Sequence, residues 1–272
     1  MIKTEMRNEK STYIDRASAS EMTEIMQQAN FEAAAAVGNA SAKIAEVIES
    51  ASSRMKAGGR MFYVGCGTSG RLGVLDASEC PPTYGVSPDL VVGIVAGGDA
   101  ALRSSVENAE DDGLMGREDI ARYNITKNDT VVGISVAGNV AYVAAALEFA
   151  NSRGALTVGL TCNSNCLVAK LSEICIVTDT GPEIITGSTR MKAGTAHKMV
   201  LNMISTGVMI KLGRVYENYM IYIRPVNKKL KSRMIRITSE LAGCTAADAE
   251  IMLERNGWNI EKAVKENKYG GK

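Results

Sequence analysis

A chain of 272 residues is long enough for one large domain with an appendage, and its 31 basic and 30 acidic side chains leave a formal net charge of +1. That balance excludes the global positive field of a nucleic-acid binder or of a protein held to an anionic membrane surface, so a small molecule is the expected partner. No apolar run approaches the roughly 20 residues needed to span a bilayer, and the polar opening MIKTEMRNEKSTYIDR lacks the apolar stretch of a secretory signal, so the cytoplasm is the expected location.

In chain order, the first 57 residues read as helical. Asp15 to Ser20 offer capping residues, and one long Ala, Met and Ile pattern runs from Ala17 to Met55 before Gly58 and Gly59 stop it. Short β-branched runs then alternate with helical stretches: MFYVG at 61–65, LVVGIVAG at 90–97, TVVGIS at 130–135, LTVGLT at 156–161 and ICIVTD at 174–179. Near-continuous apolar strands separated by helices predict an α/β fold, a doubly wound parallel sheet of five strands covered on both faces. Ligands of such sheets bind beyond the carboxyl ends of the strands. Residues 187–213 predict a long apolar helix opened by Ser188 and Thr189 and closed by Gly213. After Pro225 the composition turns basic, and a compact helical tail is expected around Trp258. The expected organisation is a helical segment over 1–57, the main domain over 58–237 and the tail over 238–272.

The six cysteines are scattered through apolar or turn contexts and read as small buried hydrophobes. Cys162 and Cys166 have no second cysteine pair to complete a zinc site, and the single histidine, His197, sits in an Ala- and Met-rich helical pattern, so neither a metal nor a catalytic imidazole is expected.

The first strand leads directly into Cys66-Gly67-Thr68-Ser69-Gly70-Arg71, where glycines let backbone N–H groups approach an anion and two hydroxyls add donors. This predicts a phosphate cradle. No Gly-Lys-Ser/Thr follows, which excludes a Walker loop, and no acidic residue ends the next strand, which argues against a dinucleotide fingerprint. Further along, Glu79 stands just before Pro81 and Pro82, which are expected to end a helix and fix the acid near the mouth of the site. A second acidic cluster, Val106 to Asp112, follows the second strand. Taken singly, either glutamate also fits a solvated helix face.

The runs GRMFYVGCGTSGRLGVLDASECPPTYGV, VENAEDD and GPEIITGSTRMKAGTAHKMVLNMISTGVMIKLGRVYENYM together resemble the N-acetylmuramic acid 6-phosphate etherases of the sugar isomerase domain superfamily, over roughly residues 4–240. The resemblance implies a cofactor-free lyase of cell-wall sugar recycling that removes D-lactate from N-acetylmuramic acid 6-phosphate by elimination and water addition. It also implies a homodimer whose ligand is a phosphorylated amino sugar. Carried over onto this sequence, Glu79 matches the proton donor and Glu110 the second catalytic glutamate. Gly67, Thr68, Ser69, Gly138, Ser188, Thr189 and Lys192 become candidates for phosphate and hydroxyl contacts, with Glu183 assisting ring opening or holding a sugar hydroxyl. Ser188 and Thr189 suit N-capping equally.

One loop departs from the family. Where the pattern reads A-S-G-R-T-P-Y, this chain has Val136-Ala137-Gly138-Asn139-Val140-Ala141-Tyr142, so three donors are replaced by Ala137, Asn139 and Val140 while the turn glycine survives. The substitution implies a phosphate held mainly by the 67–70 loop, a different substrate, or a non-catalytic sensor of sugar phosphates, and the fold with a glutamate base also suits an aldose-ketose isomerase. Retention of both glutamates favours catalysis.

Overall fold

Glycine stops and apolar strand runs set the architecture. The structure is a computed structural model that describes residues 2–269. Residue 1 and residues 270–272, the extreme ends of the expected helical segment and tail, lie outside the described residues. The chain divides into two compact units, one comprising the residues up to Ser78 together with Asp89–Val208, the other Glu79–Pro88 together with the residues from Met209 onward.

The first unit opens with three short 3-10 turns, Lys3–Glu5, Glu9–Ser11 and Ile14–Arg16. Helices α1 (Ala19–Asn39) and α2 (Ser41–Lys56) follow. Ser18 starts α1 with a reciprocal capping box, accepting from the Glu21 N–H while the Glu21 side chain accepts from the Ser18 N–H. The expected single run from Ala17 to Met55 is therefore two helices, joined at Ala40, just after Gly38 and Asn39, which are weak helix formers.

The strands are β1 (Met61–Gly65), β2 (Val91–Val95), β3 (Thr130–Ile134), β4 (Leu156–Thr161) and β5 (Ile174–Val177). They form one parallel sheet in the order β2-β1-β3-β4-β5. Met61 pairs with Val91 on one side and with Thr130 on the other, and Thr130 pairs with Leu156. β1, β3 and β4 are buried along their whole length, as strands covered on both faces must be. Between them run α3 (Gly67–Tyr84), α4 (Gly113–Ala121), α5 (Ala141–Ser152) and the short α6 (Leu167–Leu171), and α7 (Lys192–Lys211) follows β5. Phe62, Val64, Ile120, Val131, Tyr142 and Leu147 form the centre of one apolar layer.

Helix α3 packs so closely on β1 that a Cβ at position 70 would lie 2.5 Å from the Gly65 carbonyl oxygen, which explains the glycine. The prolines do not end α3 as expected. Pro81 and Pro82 lie inside its last turn, where each lacks the N–H that would donate to the carbonyl four residues back, and the helix runs only two residues further, to Tyr84.

In the second unit, a two-strand hairpin of β6 (Val215–Tyr216) and β7 (Tyr219–Met220) precedes three helices, α8 (Lys228–Ala242), α9 (Ala246–Arg255) and α10 (Ile260–Tyr269). Asn227 caps α8 by accepting from the Leu230 N–H, and Thr245 caps α9 by accepting from the Asp248 N–H. Met234, Leu253, Ile260 and Ala263 are fully buried between the helices, and the Lys231 ammonium sits 5.0 Å from the Trp258 ring centre.

Candidate active site

In this strand order the chain goes from β1 to the edge strand β2 and returns on the other side of β1 to β3. The loops leaving β1 and β3 therefore diverge and leave a crevice beyond their carboxyl ends. A cavity of about 310 Å³ lies there. Thr68 and Ser69, in the first turn of α3, line it, together with Ser135, Ala137 and Val140 from the loop after β3. Glu110, Thr189, Gly194 and Glu5 complete much of the remaining wall.

The first residues of α3 present N–H groups that have no partner within the helix, and the helix dipole adds partial positive charge there. Val140, the extended residue before α5, also lines the cavity, so a second helix starts at the same place. None of the lining residues is Lys, Arg or His, so attraction for an anion comes from helix starts and hydroxyls.

Glu110 is positioned by its backbone. Its carbonyl accepts from the Tyr142 N–H at 3.1 Å, tying the acidic segment to the first turn of α5, while its side chain is exposed to the cavity. Asp112, two residues on, caps α4 by accepting from the Met115 N–H at 2.9 Å. On the other side of Glu110 lies a second cavity, also about 310 Å³, lined by Cys66, Gly67, Arg71 and the 105–111 segment. The Cys66 thiol there is pushed up to about 12, first by burial and then by the charges of Glu110 and Asp111. A thiol so placed stays protonated and is not a nucleophile at neutral pH. Arg71 donates to the Ala101 carbonyl at 2.8 Å and to the Ser104 carbonyl at 3.3 Å, which holds this segment in place.

Of the residues expected from sequence, Thr68, Ser69, Glu110 and Thr189 share one cavity and Gly67 lines its neighbour. Gly138 makes the turn with φ +78°, its N–H donates to Ser135 Oγ at 3.1 Å, and a side chain there would collide with Cys166. Ser188 is half-buried and its N–H donates to the Ile185 carbonyl. Neither Ser188 nor Thr189 caps the helix that follows. α7 starts at Lys192, and the fully buried Glu183 accepts from the Lys192 N–H at 2.9 Å and the Ala193 N–H at 3.0 Å. The Lys192 ammonium, 2% exposed, pairs with Glu32 at 2.7 Å and donates to the Pro182 carbonyl at 3.0 Å. Glu79 is exposed on α3 within the second unit.

Two lining residues were not legible in the sequence. Ser135 closes a strand run with no motif around it, yet its Oγ accepts from the Gly138 N–H and leaves its own O–H to donate. Glu5 lay in a polar opening with no pattern to single it out.

Two sequence models match the chain, the glucokinase regulatory protein N-terminal SIS domain over residues 43–151 and the SIS domain over residues 117–207. N-acetylmuramic acid 6-phosphate etherase from Caldanaerobacter subterraneus subsp. tengcongensis is 49% identical over 261 residues, covering 96% of this chain and 85% of that protein. The protein of the same name from Clostridium beijerinckii is also 49% identical, over 96% of this chain and 86% of its own. The chain belongs to the N-acetylmuramic acid 6-phosphate etherase family.

Among solved structures, phosphoheptose isomerase from Francisella tularensis superposes with a TM-score of 0.56 at 17% identity, covering 71% of this chain and 98% of that one, which shows a shared fold. Two positions at which the chain departs from the etherase loop pattern, Ala137 and Val140, both present apolar groups to the cavity. The third, Asn139, is engaged elsewhere, its Oδ1 accepting from the Leu167 N–H at 3.0 Å. Among the described residues no helix is long and apolar enough to cross a membrane.

Proposed function

We infer that the protein is a carbon–oxygen lyase that cleaves the D-lactyl ether of N-acetylmuramic acid 6-phosphate, giving N-acetylglucosamine 6-phosphate and D-lactate in cell-wall sugar recycling. The observation that carries the reading is a cavity at the β1/β3 switch point holding Glu110 beside the start of α3, in a chain of the etherase family. Cytoplasmic location and a homodimer are proposed with it on the resemblance.

The chemistry follows from the substrate. In the open-chain aldehyde the carbonyl acidifies the proton on carbon 2, and the ether oxygen on carbon 3 is a β-leaving group. The phosphate rests at the start of α3, on first-turn N–H groups and the Thr68 and Ser69 hydroxyls. Ser135 adds a hydroxyl donor that Ala137 lacks. Glu110 takes the proton from carbon 2, Glu79 protonates the departing lactate oxygen, and water then adds to the unsaturated product at carbon 3. Each positioned proton transfer contributes about 100- to 10,000-fold. Gly67 and Gly138 supply backbone, Ser188 and Thr189 hydroxyls, and Glu183 and Lys192 hold the α7 side of the site in place.

Incubation with N-acetylmuramic acid 6-phosphate and measurement of D-lactate tests the reading. Wild type should release lactate, and Glu79→Ala and Glu110→Ala should each lose most of the activity. Interconversion of sugar phosphates with no lactate would overturn the lyase in favour of an isomerase. The isomerase neighbour carries only the fold, whereas the near-full-length relatives bear the etherase name.

A further inference from the structure

The N-terminal segment is fastened along its length to the loop that leads into α7. Lys3 pairs with Asp179, Asn8 donates to the Pro182 carbonyl at 3.3 Å, and Ser11 donates to the Ile184 carbonyl at 2.6 Å in a buried position. Lys10 reaches Glu32 at 2.6 Å, the carboxylate that also holds Lys192. Thr4 is 1% exposed. Between these anchors Glu5 alone faces the cavity, in company with Thr189 and Gly194 from the α7 side and Glu110 from the other. Among the described residues no hydrogen bond or ion pair engages the Glu5 carboxylate, although Lys3, Asn8, Lys10 and Ser11 are all engaged.

We propose that Glu5 is a substrate-contacting residue that accepts hydrogen bonds from a hydroxyl group of the sugar and sets the enzyme's preference for a sugar phosphate over phosphate alone. The inference deepens the reading given above and rests on its placement of the phosphate. A carboxylate repels a phosphate dianion, so Glu5 belongs to the part of the cavity away from the start of α3. A sugar offers hydroxyl donors there, and an ionised carboxylate can only accept. The strap removes the entropy that a free terminal segment would lose on closing over a ligand, because its anchors are already made. A hydrogen bond to a charged acceptor of this kind changes affinity by about tenfold to a hundredfold.

The test compares full-length wild type, Glu5→Ala, Glu5→Gln and Glu9→Ala, the last removing an exposed carboxylate from the same strap outside the cavity. Calorimetry is run with N-acetylglucosamine 6-phosphate and with inorganic phosphate, alongside steady-state lactate release and melting temperature. Glu5→Ala should bind the sugar phosphate at least about tenfold more weakly and raise KM in proportion, with a smaller fall in kcat. Its affinity for inorganic phosphate should be unchanged or tighter, since a repulsive charge is gone. Glu5→Gln should fall between the two, and Glu9→Ala should match wild type.

Equal sugar-phosphate affinity in Glu5→Ala and wild type overturns the proposal. So does an equal loss for both ligands with a lowered melting temperature, which is the signature of a strap that only braces the fold. A wild type that binds the sugar phosphate, loses that affinity on Glu5→Ala and yet releases no lactate overturns the lyase and supports the contact. One that releases lactate with KM unchanged by Glu5→Ala overturns the contact alone, and one that binds neither ligand overturns both.

Discussion

Glu183 receives the Lys192 N–H at 2.9 Å with one carboxylate oxygen and closes the first turn of α7 by receiving the Ala193 N–H with the other. Both N–H groups would otherwise be orphan donors in the interior, because Glu183 is fully buried and Lys192 nearly so. The negative charge also complements the positive end of the α7 dipole. Glu183→Ala leaves both donors unsatisfied and should lower stability by about 2 to 3 kcal/mol, while Glu183→Gln, which keeps one acceptor oxygen, should lose less. Denaturant unfolding at constant slope reads this directly. A Glu183→Ala protein as stable as wild type would mean the cap contributes nothing.

Val140 precedes α5 with an extended backbone and no side-chain cap. Val140→Thr nearly preserves shape, and its hydroxyl can accept from an N–H of the first turn, which should stabilise the protein by about 1 kcal/mol. The same hydroxyl faces the cavity at a position where the family pattern has threonine. Affinity for N-acetylglucosamine 6-phosphate should therefore rise several-fold in calorimetry. A gain in melting temperature without a gain in affinity would show that the phosphate does not reach this loop.

Both residues show where sequence reasoning reached and where it stopped. The five strands were legible because each is a short, largely apolar run between helical patterns with no charged residue in it, the threonines of β3 and β4 being buried with the rest. Thr68 and Ser69 stand directly after a strand, where chain order points to a site, whereas Glu110 and Thr189 were candidates through the family resemblance; all four line one cavity. Lys192 was a candidate for phosphate and hydroxyl contacts through the family resemblance, and the sequence held no sign of the ion pair it makes. Its partner Glu32 lies 160 residues away, and only tertiary folding reveals the pair. The capping role of Glu183 was hidden for the same reason, since a carboxylate nine residues before a helix is not at a capping spacing until the intervening loop folds back. The opening segment showed no periodicity, so nothing marked Glu5.

Cys66 offers an electrostatic check on the neighbouring cavity. Burial is the largest cause of its raised value and the negative charges of Glu110 and Asp111 come next, so the thiolate is scarce even at pH 8. Iodoacetamide should label Cys66 much more slowly than an unhindered cysteine. Glu110→Gln removes one repelling charge and should lower the Cys66 value from about 12, accelerating labelling as pH is raised. Mass spectrometry of the 66-containing peptide measures both rates. Identical rates in the two proteins would mean that the Glu110 carboxylate does not face this thiol.

His197 supplies the last prediction. It lies on α7 with no exposed surface, its Nε2 is 3.7 Å from Cys162 Sγ, and burial alone pushes its value down to about 4 from the ordinary 6.5. Burial disfavours the charged imidazolium, so the native state stays neutral while the unfolded chain takes up a proton below pH 6.5. Between those values the unfolded state binds more protons than the native state, so stability rises with pH and is lost as pH falls from about 6.5 toward 4. The loss attributable to this one side chain should be on the order of 2 to 3 kcal/mol at pH 4.5. Paired carboxylates such as Asp129, which the Arg60 guanidinium and two backbone N–H groups hold below its usual range, also weaken the fold in acid. The comparison must therefore be between proteins. Unfolding of wild type and His197→Gln at pH 7.5 and pH 4.5 isolates the histidine, because the carboxylate contribution is common to both. Wild type should lose about 2 to 3 kcal/mol more than the variant over that interval. Equal losses would mean that His197 is hydrated or finds a charged partner in solution, and its place in the α7 core would need to be redrawn.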